Sequence, residues 1–193
     1  MNSFRSLYIT FAAALIGSVA VPAAHSADFK PQAGYVSLFN GKDLTGWGYR
    51  TNNFDGKTES PDGRYSAKNG ILTVNPREPR LMQIIWTTRE FPKDFILKLE
   101  FRAAVNADSG IFVRKPQLQC RDYPVAGPYK NLKKYKPQDW NKIEITVKDG
   151  VARCTCNGEV LEEAMKVPET GPIGFEGDRG QMEYRRIQLK EIK

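Results

Sequence analysis

The sequence predicts an all-β protein, a two-layer jelly-roll β-sandwich, on three observations. From Tyr35 onward, short stretches rich in β-branched and aromatic residues recur between Gly, Pro, Asn and Asp, and helical periodicity is nearly absent. Asn69-Gly70 and Asp149-Gly150 each stand between two such stretches, and these dipeptides favour the backbone angles of a tight hairpin turn. In the longest stretches the apolar residues alternate with polar ones. Phe95, Leu97, Leu99 and Phe101 share one face, with Lys98, Glu100 and Arg102 opposite. Ile143, Ile145 and Val147 do the same against Lys142, Glu144, Thr146 and Lys148. A sheet with one apolar and one polar face belongs in a sandwich of two layers.

Ten strands are expected in order: 35–39, 65–68 and 71–74 joined by the first turn, 82–87, 95–102, 110–114, 142–148 and 151–156 joined by the second turn, 172–175, and 181–191. Asn157-Gly158 supplies a third turn directly after 151–156. About ten strands in a chain of this size suit a jelly roll with a concave polar face, a surface well suited to sugars. No internal repeat or low-complexity linker interrupts the pattern, and 31–34 reads as a lead-in.

The N-terminus has Arg5, an apolar run over 7–21, Pro22 and the small residues Ala23, Ala24 and Ser26. This is the layout of a secretory signal peptide, and cleavage after Ser26 is expected. The run is short of the roughly 20 residues that span a bilayer. Residues 1–26 are therefore read as the signal peptide and 27–193 as one domain, exported to the periplasm or the exterior, with no membrane attachment after cleavage. Cleavage removes His25, the chain's one histidine. Imidazole mechanisms are then excluded: Ser-His-Asp and Cys-His triads, His-ligated zinc, and His acid or base catalysis.

The formal net charge is +7, but acids and bases are interspersed, which marks solubility more than a nucleic-acid footprint, and no nucleic-acid partner is expected. The densest basic stretch, Lys130, Lys133, Lys134 and Lys136 with Tyr129 and Tyr135, reads as a solvated loop, with a site for a polyanion as the alternative. Of three cysteines, Cys154 and Cys156 point to one face of a strand and do not pair with each other. A disulfide from Cys120 to one of them is the pairing that geometry leaves open.

Glu100 and Arg102, and likewise Glu183 and Arg185, are two residues apart and so face one side of their strand. Such pairs are commonly modest ion pairs. If the strands are neighbours, the two pairs with Arg114 form a cation-rich floor of the kind that stabilises an oxyanion. Trp47 reads as a core plug, with a sugar platform as the alternative.

Four stretches carry a resemblance to a known family. They are Leu38-Phe39-Asn40-Gly41-Lys42-Asp43-Leu44-Thr45-Gly46-Trp47; Glu100-Phe101-Arg102 with Asn106-Ala107-Asp108-Ser109-Gly110-Ile111 and Arg114; Asp139-Trp140-Asn141 with Asn157-Gly158; and Gly171-Pro172-Ile173-Gly174 with Glu183-Tyr184-Arg185-Arg186-Ile187. In this order and spacing the chain resembles the 3-keto-disaccharide hydrolase family, which implies a concanavalin A-like fold of the lectin and glucanase type. The chain departs from the family pattern at three places. Gln117-Leu118-Gln119 stands where many members have Glu-Val-Gln, and Arg179 stands where many have His. Glu176 stands where many have Gln.

The resemblance implies cleavage of a glycoside oxidised at carbon 3. A base removes the acidified hydrogen on carbon 2, the glycosidic oxygen leaves carbon 1, and water adds to the product. This route needs one base and an enolate stabiliser, not the two carboxylates of ordinary glycosidases. Glu100 or Glu183 is expected as the base, with Asp122 as third candidate. Arg102, Arg114, Arg185, Gln119 and Glu176 are expected to bind substrate. A divalent cation would suit the enolate as Lewis acid, but no ligand cluster stands out, so the metal is left unassigned; no organic cofactor is expected. The alternative, from another class, is a non-catalytic carbohydrate-binding module offering Trp47, Tyr49, Trp86, Tyr123 or Trp140 to sugar rings.

Overall fold

A computed structural model describes residues 29–78 and 80–193; the expected signal peptide, with Arg5 and His25, lies outside the described residues. Fourteen strands are found among them: β1 (Val36–Ser37), β2 (Trp47–Tyr49), β3 (Asn52–Asn53), β4 (Tyr65–Lys68), β5 (Ile71–Val74), β6 (Gln83–Thr87), β7 (Phe95–Ala103), β8 (Asp108–Val113), β9 (Gln117–Arg121), β10 (Asn141–Lys148), β11 (Val151–Cys156), β12 (Glu159–Lys166), β13 (Ile173–Gly177) and β14 (Met182–Glu191). No helix occurs among the described residues.

The strands form two antiparallel sheets. The first has the order β12-β11-β10-β7-β14-β5-β4, with β1 added on β14; the second runs β3-β2-β6-β13-β8-β9. The alternation in the sequence sets which face of each is buried. Phe95, Leu97, Leu99, Phe101, Ile143, Ile145 and Val147 of the first sheet meet Ile85, Ile111, Val113, Ile173 and Phe175 of the second, and all are buried. Both predicted hairpin turns form with left-handed residues at both central positions, Asn69 and Gly70, then Asp149 and Gly150.

Four strands were not legible as strands. The segment Glu159–Lys166 is built from good helix formers, yet it lies along β11 with Val151 opposite Lys166, so pairing overrides local propensity. β2, β3 and β9 are short, two to five residues each, and too brief to show an alternation in the sequence.

The aromatic centre of the core joins the layers. Trp47 stacks on Phe175 at 5.1 Å, and Phe175 stacks on Tyr184 at 4.2 Å. Trp47 is fully buried and donates its indole N–H to the Leu38 carbonyl, so it is a core plug, as is the buried Tyr123. Cys120, Cys154 and Cys156 are buried and free; the disulfide left open by the sequence is not formed. Burial pushes the Cys154 and Cys156 thiols up to about 12, which keeps them in the unreactive protonated form. Among the described residues no helix is long and apolar enough to cross a membrane.

Candidate functional site

Of the five residues expected to share one polar face, four meet and Arg114 does not, while Gln119 and Glu176, also expected to bind substrate, lie on the other sheet. Glu100 and Arg102 of β7 and Glu183 and Arg185 of β14 do meet on the outer face of the first sheet, because the register sets Glu183 opposite Arg102 and Arg185 opposite Glu100. The pairing crosses the strands. Arg102 Nε donates to Glu183 at 2.5 Å, and Glu100 receives Arg185 Nε at 2.7 Å and Arg186 at 3.0 Å. A bulge between Arg185 and Gln188, with Arg186 at φ 53°, turns consecutive arginines onto the same carboxylate. Arg102 and Arg185 also lie over the Trp140 ring, at 4.8 and 3.8 Å. Both glutamates are thus engaged by guanidinium in charge-assisted hydrogen bonds.

Arg114 is not part of this face. It ends β8 with φ 64°, and its guanidinium donates to the carbonyls of Phe91, Lys93 and Pro168 at 2.9, 2.8 and 2.6 Å. It clamps the loops that follow β6 and β12. Asp122, just after β9, is buried and accepts from the Asn106 backbone N–H at 3.1 Å and from the Tyr135 hydroxyl at 3.3 Å. It holds the β7–β8 turn and stands apart from both glutamates.

The second face is the outer surface of the second sheet, where Gln119 and Glu176 lie. Here β6, β13, β8 and β9 run side by side. Trp86, Gly174, Phe112 and Gln117 form one row, with Ile84 and Glu176 paired in the next. Two glycines shape this floor. A Cβ on Gly174 would come within 2.7 Å of the Trp86 ring, so the indole lies flat across it, in edge contact with Phe112 at 5.4 Å. A Cβ on Gly110 would sit 2.1 Å from Gln117 Nε2. With no side chain there, Gln117 crosses Gly110 and donates to Glu176 Oε2 at 2.5 Å.

Glu176 is held from both sides. Below the sheet, Ser109 Oγ donates to its backbone carbonyl at 2.6 Å. With that proton committed, the Tyr184 hydroxyl donates to Ser109 at 2.8 Å, tying Glu176 to β14 of the other layer. Above the sheet, Oε2 is taken by Gln117, while Oε1 has no hydrogen bond among the described residues. The residue is only 5% exposed, and burial, then the nearby Asp178 and Asp108 carboxylates, push its carboxyl up to about 7. The neighbouring acids are in turn occupied by cations. Arg80 binds Asp178 in a fork at 2.5 Å, and Arg121 binds Asp108 at 3.1 Å, with Arg179 at 3.7 Å. Gln119 donates to Asp108 at 2.7 Å.

Among the described residues no group of three or more His, Cys, Asp or Glu is placed to hold a metal ion. The second face therefore brings together one carboxyl raised toward neutrality, an amide fixed on it, guanidinium groups paired with the neighbouring acids, and aromatic side chains. Trp86 was one of five aromatic residues named for sugar contact, and the sequence did not single it out. The signal for Glu176 was present as the acid standing where relatives have an amide.

Solved structures share this architecture. Two candidate glycosyl hydrolases from Parabacteroides distasonis ATCC 8503 superpose with TM-scores of 0.64 and 0.62 at 19% and 20% identity. They cover 83% and 82% of this chain and 95% and 99% of their own. A β-glucanase from Bacillus licheniformis superposes with a TM-score of 0.51 at 9% identity, over 82% of this chain and 97% of its own. These likenesses establish the fold as a concanavalin-like jelly roll. No curated protein matches the sequence. The family model described as a 3-keto-alpha-glucoside-1,2-lyase-like domain matches residues 34–190, nearly the whole described chain, and the protein belongs to that family.

Proposed function

We propose that the protein cleaves 3-keto-glycosides by elimination followed by hydration, with Glu176 as the base. The observation that carries this reading is a carboxyl raised to about 7 whose Oε1 has no hydrogen bond among the described residues and whose Oε2 is fixed by Gln117. A base tuned close to neutrality both stays ionised and accepts a proton readily. In the reaction Glu176 Oε1 takes the proton from carbon 2. The electron pair moves into the bond toward carbon 3, charge collects on the ketone oxygen, and its return expels the glycosidic oxygen from carbon 1. The departing oxygen takes up a proton, and water then adds across the unsaturated ring to complete net hydrolysis. Arg80 and Arg179, paired with Asp178 and Asp108, offer N–H donors to the enolate oxygen, and Phe112 with the edge of Trp86 supplies an apolar surface for the ring.

Glu100 and Glu183 take a scaffolding role in this account, since each carboxylate is already bound by guanidinium. The test is incubation of residues 27–193 with matched glycosides that differ only in carbon 3, ketone against hydroxyl. Aglycone release from the ketone alone is the expected result. Binding of both without release would support the alternative of a carbohydrate-binding module.

A further inference from the structure

Past Trp86, away from Glu176, the same outer face opens into a groove of about 810 Å3. Resting on the reading of this face as a saccharide site, we propose that the groove is a subsite for an acidic group on the substrate, recognised by Arg50, Arg89 and Lys115. The substrate class is then an anionic saccharide whose charged unit adjoins the ring being cleaved.

The charge of the lining carries the argument. Four cationic residues line the groove, Arg50, Arg89, Arg114 and Lys115, against the single carboxylate of Glu90. Arg114 is saturated by backbone carbonyls, but Arg50, Arg89 and Lys115 form no ion pair among the described residues. Glu90 accepts from the Thr170 hydroxyl at 2.9 Å. Arg50 rests over the Trp86 ring at 5.5 Å and Arg89 over Phe91 at 4.7 Å. Stacking on a ring restrains a guanidinium while leaving its N–H edges free to donate, the arrangement that suits a planar or tetrahedral anion. A concave wall with excess positive charge concentrates anions.

Position links the groove to the chemistry. Trp86 lies two residues from Ile84, which pairs with Glu176, a separation of about 7 Å along the strand. A sugar ring seated beside Trp86, whose indole carries Arg50, therefore spans from the base to the groove. Gly48 in the groove wall lets the β2–β3 hairpin fold tightly, since a Cβ there would fall 2.1 Å from the Asn52 carbonyl oxygen.

The test is calorimetric binding of residues 27–193 to three unoxidised disaccharides of one linkage, neutral, uronate-bearing and sulfate-bearing, so that no turnover is needed. The parent is expected to bind at least one acidic form about tenfold more tightly than the neutral one, a preference that shrinks as salt rises. Whichever form is preferred identifies the acidic group as carboxylate or sulfate. The Arg50→Gln/Arg89→Gln double variant should lose the preference and keep neutral binding. Equal binding of all three by the parent, or binding of none, overturns the proposal, as does a preference retained by the double variant. Glu176→Gln should keep the acid preference while losing turnover, which separates failure of the subsite from failure of the catalytic reading.

Discussion

Gln117 and Glu176 form a carboxylate–amide pair across the side-chain-free backbone of Gly110, with Gln117 Nε2 donating to Glu176 Oε2 at 2.5 Å. In the family pattern the acid falls at the position of Gln117 and the amide at that of Glu176. Read along the chain, the change at Gln117 is the loss of an acid. Read across the sheet, the two residues have exchanged roles, and the face keeps one carboxylate and one amide in contact.

Gly110→Ala should break this contact. The added methyl would meet the Gln117 amide 2.1 Å away, and the amide must swing off Glu176. The fold should persist, because Gln117 is an exposed residue, while turnover falls at least about tenfold, the scale of one positioning hydrogen bond. Parallel thermal melts and rates check this; an unchanged rate would show that Gln117 does not position the base.

The raised carboxyl of Glu176 sets two opposite pH trends. Between the ordinary 4.5 and about 7 the folded protein holds a proton that the unfolded chain releases. This contribution to stability is complete below 4.5 and is lost as pH rises through about 7. Activity should rise over the same upper range as the base ionises. Comparing the melting temperatures of the parent and Glu176→Gln across that window should reveal a fall with pH that only the parent shows. Parallel curves would mean that Glu176 titrates normally.

Glu100→Gln should act on stability instead. Glu100 is buried and bound by Arg185 and Arg186, so the variant leaves two guanidinium groups without their carboxylate. Because Arg186 keeps much of its solvent contact, the cost should be about 2–3 kcal/mol, below the range for a fully buried pair. Urea melts measure it. The folded variant should turn over at the parental rate.

Much of this was legible in the sequence. The alternation of Phe95 to Phe101 and of Ile143 to Val147, with two left-handed turns at Asn69 and Asp149, specified the layers and their inward faces. The two-residue spacing of Glu100 and Arg102 and of Glu183 and Arg185 also gave each pair a common side. Spacing along one strand says nothing about which sheet another strand joins, so Arg114 was grouped with residues from which the core separates it. The importance of Glu176 depends on Gly110, Gln117, Asp108 and Asp178, which come from two strands and a loop, and only the register brings them together. β12 was hidden because Glu159–Lys166 has the local preferences of a helix and becomes a strand through its pairing with β11.

The account rests on Glu176 as the proton acceptor, and the most direct test is the rate of aglycone release from a 3-keto-glucoside by the parent, Glu176→Gln and Glu100→Gln, each verified as folded. Glu176→Gln keeps the size of the side chain and removes its capacity to take a proton, so its rate should fall by at least about 100-fold, the lower range for loss of general base catalysis. Glu100→Gln should remain near the parent. The opposite ranking, with Glu176→Gln active and Glu100→Gln inert, would contradict the assignment and move the chemistry to the outer face of the other sheet.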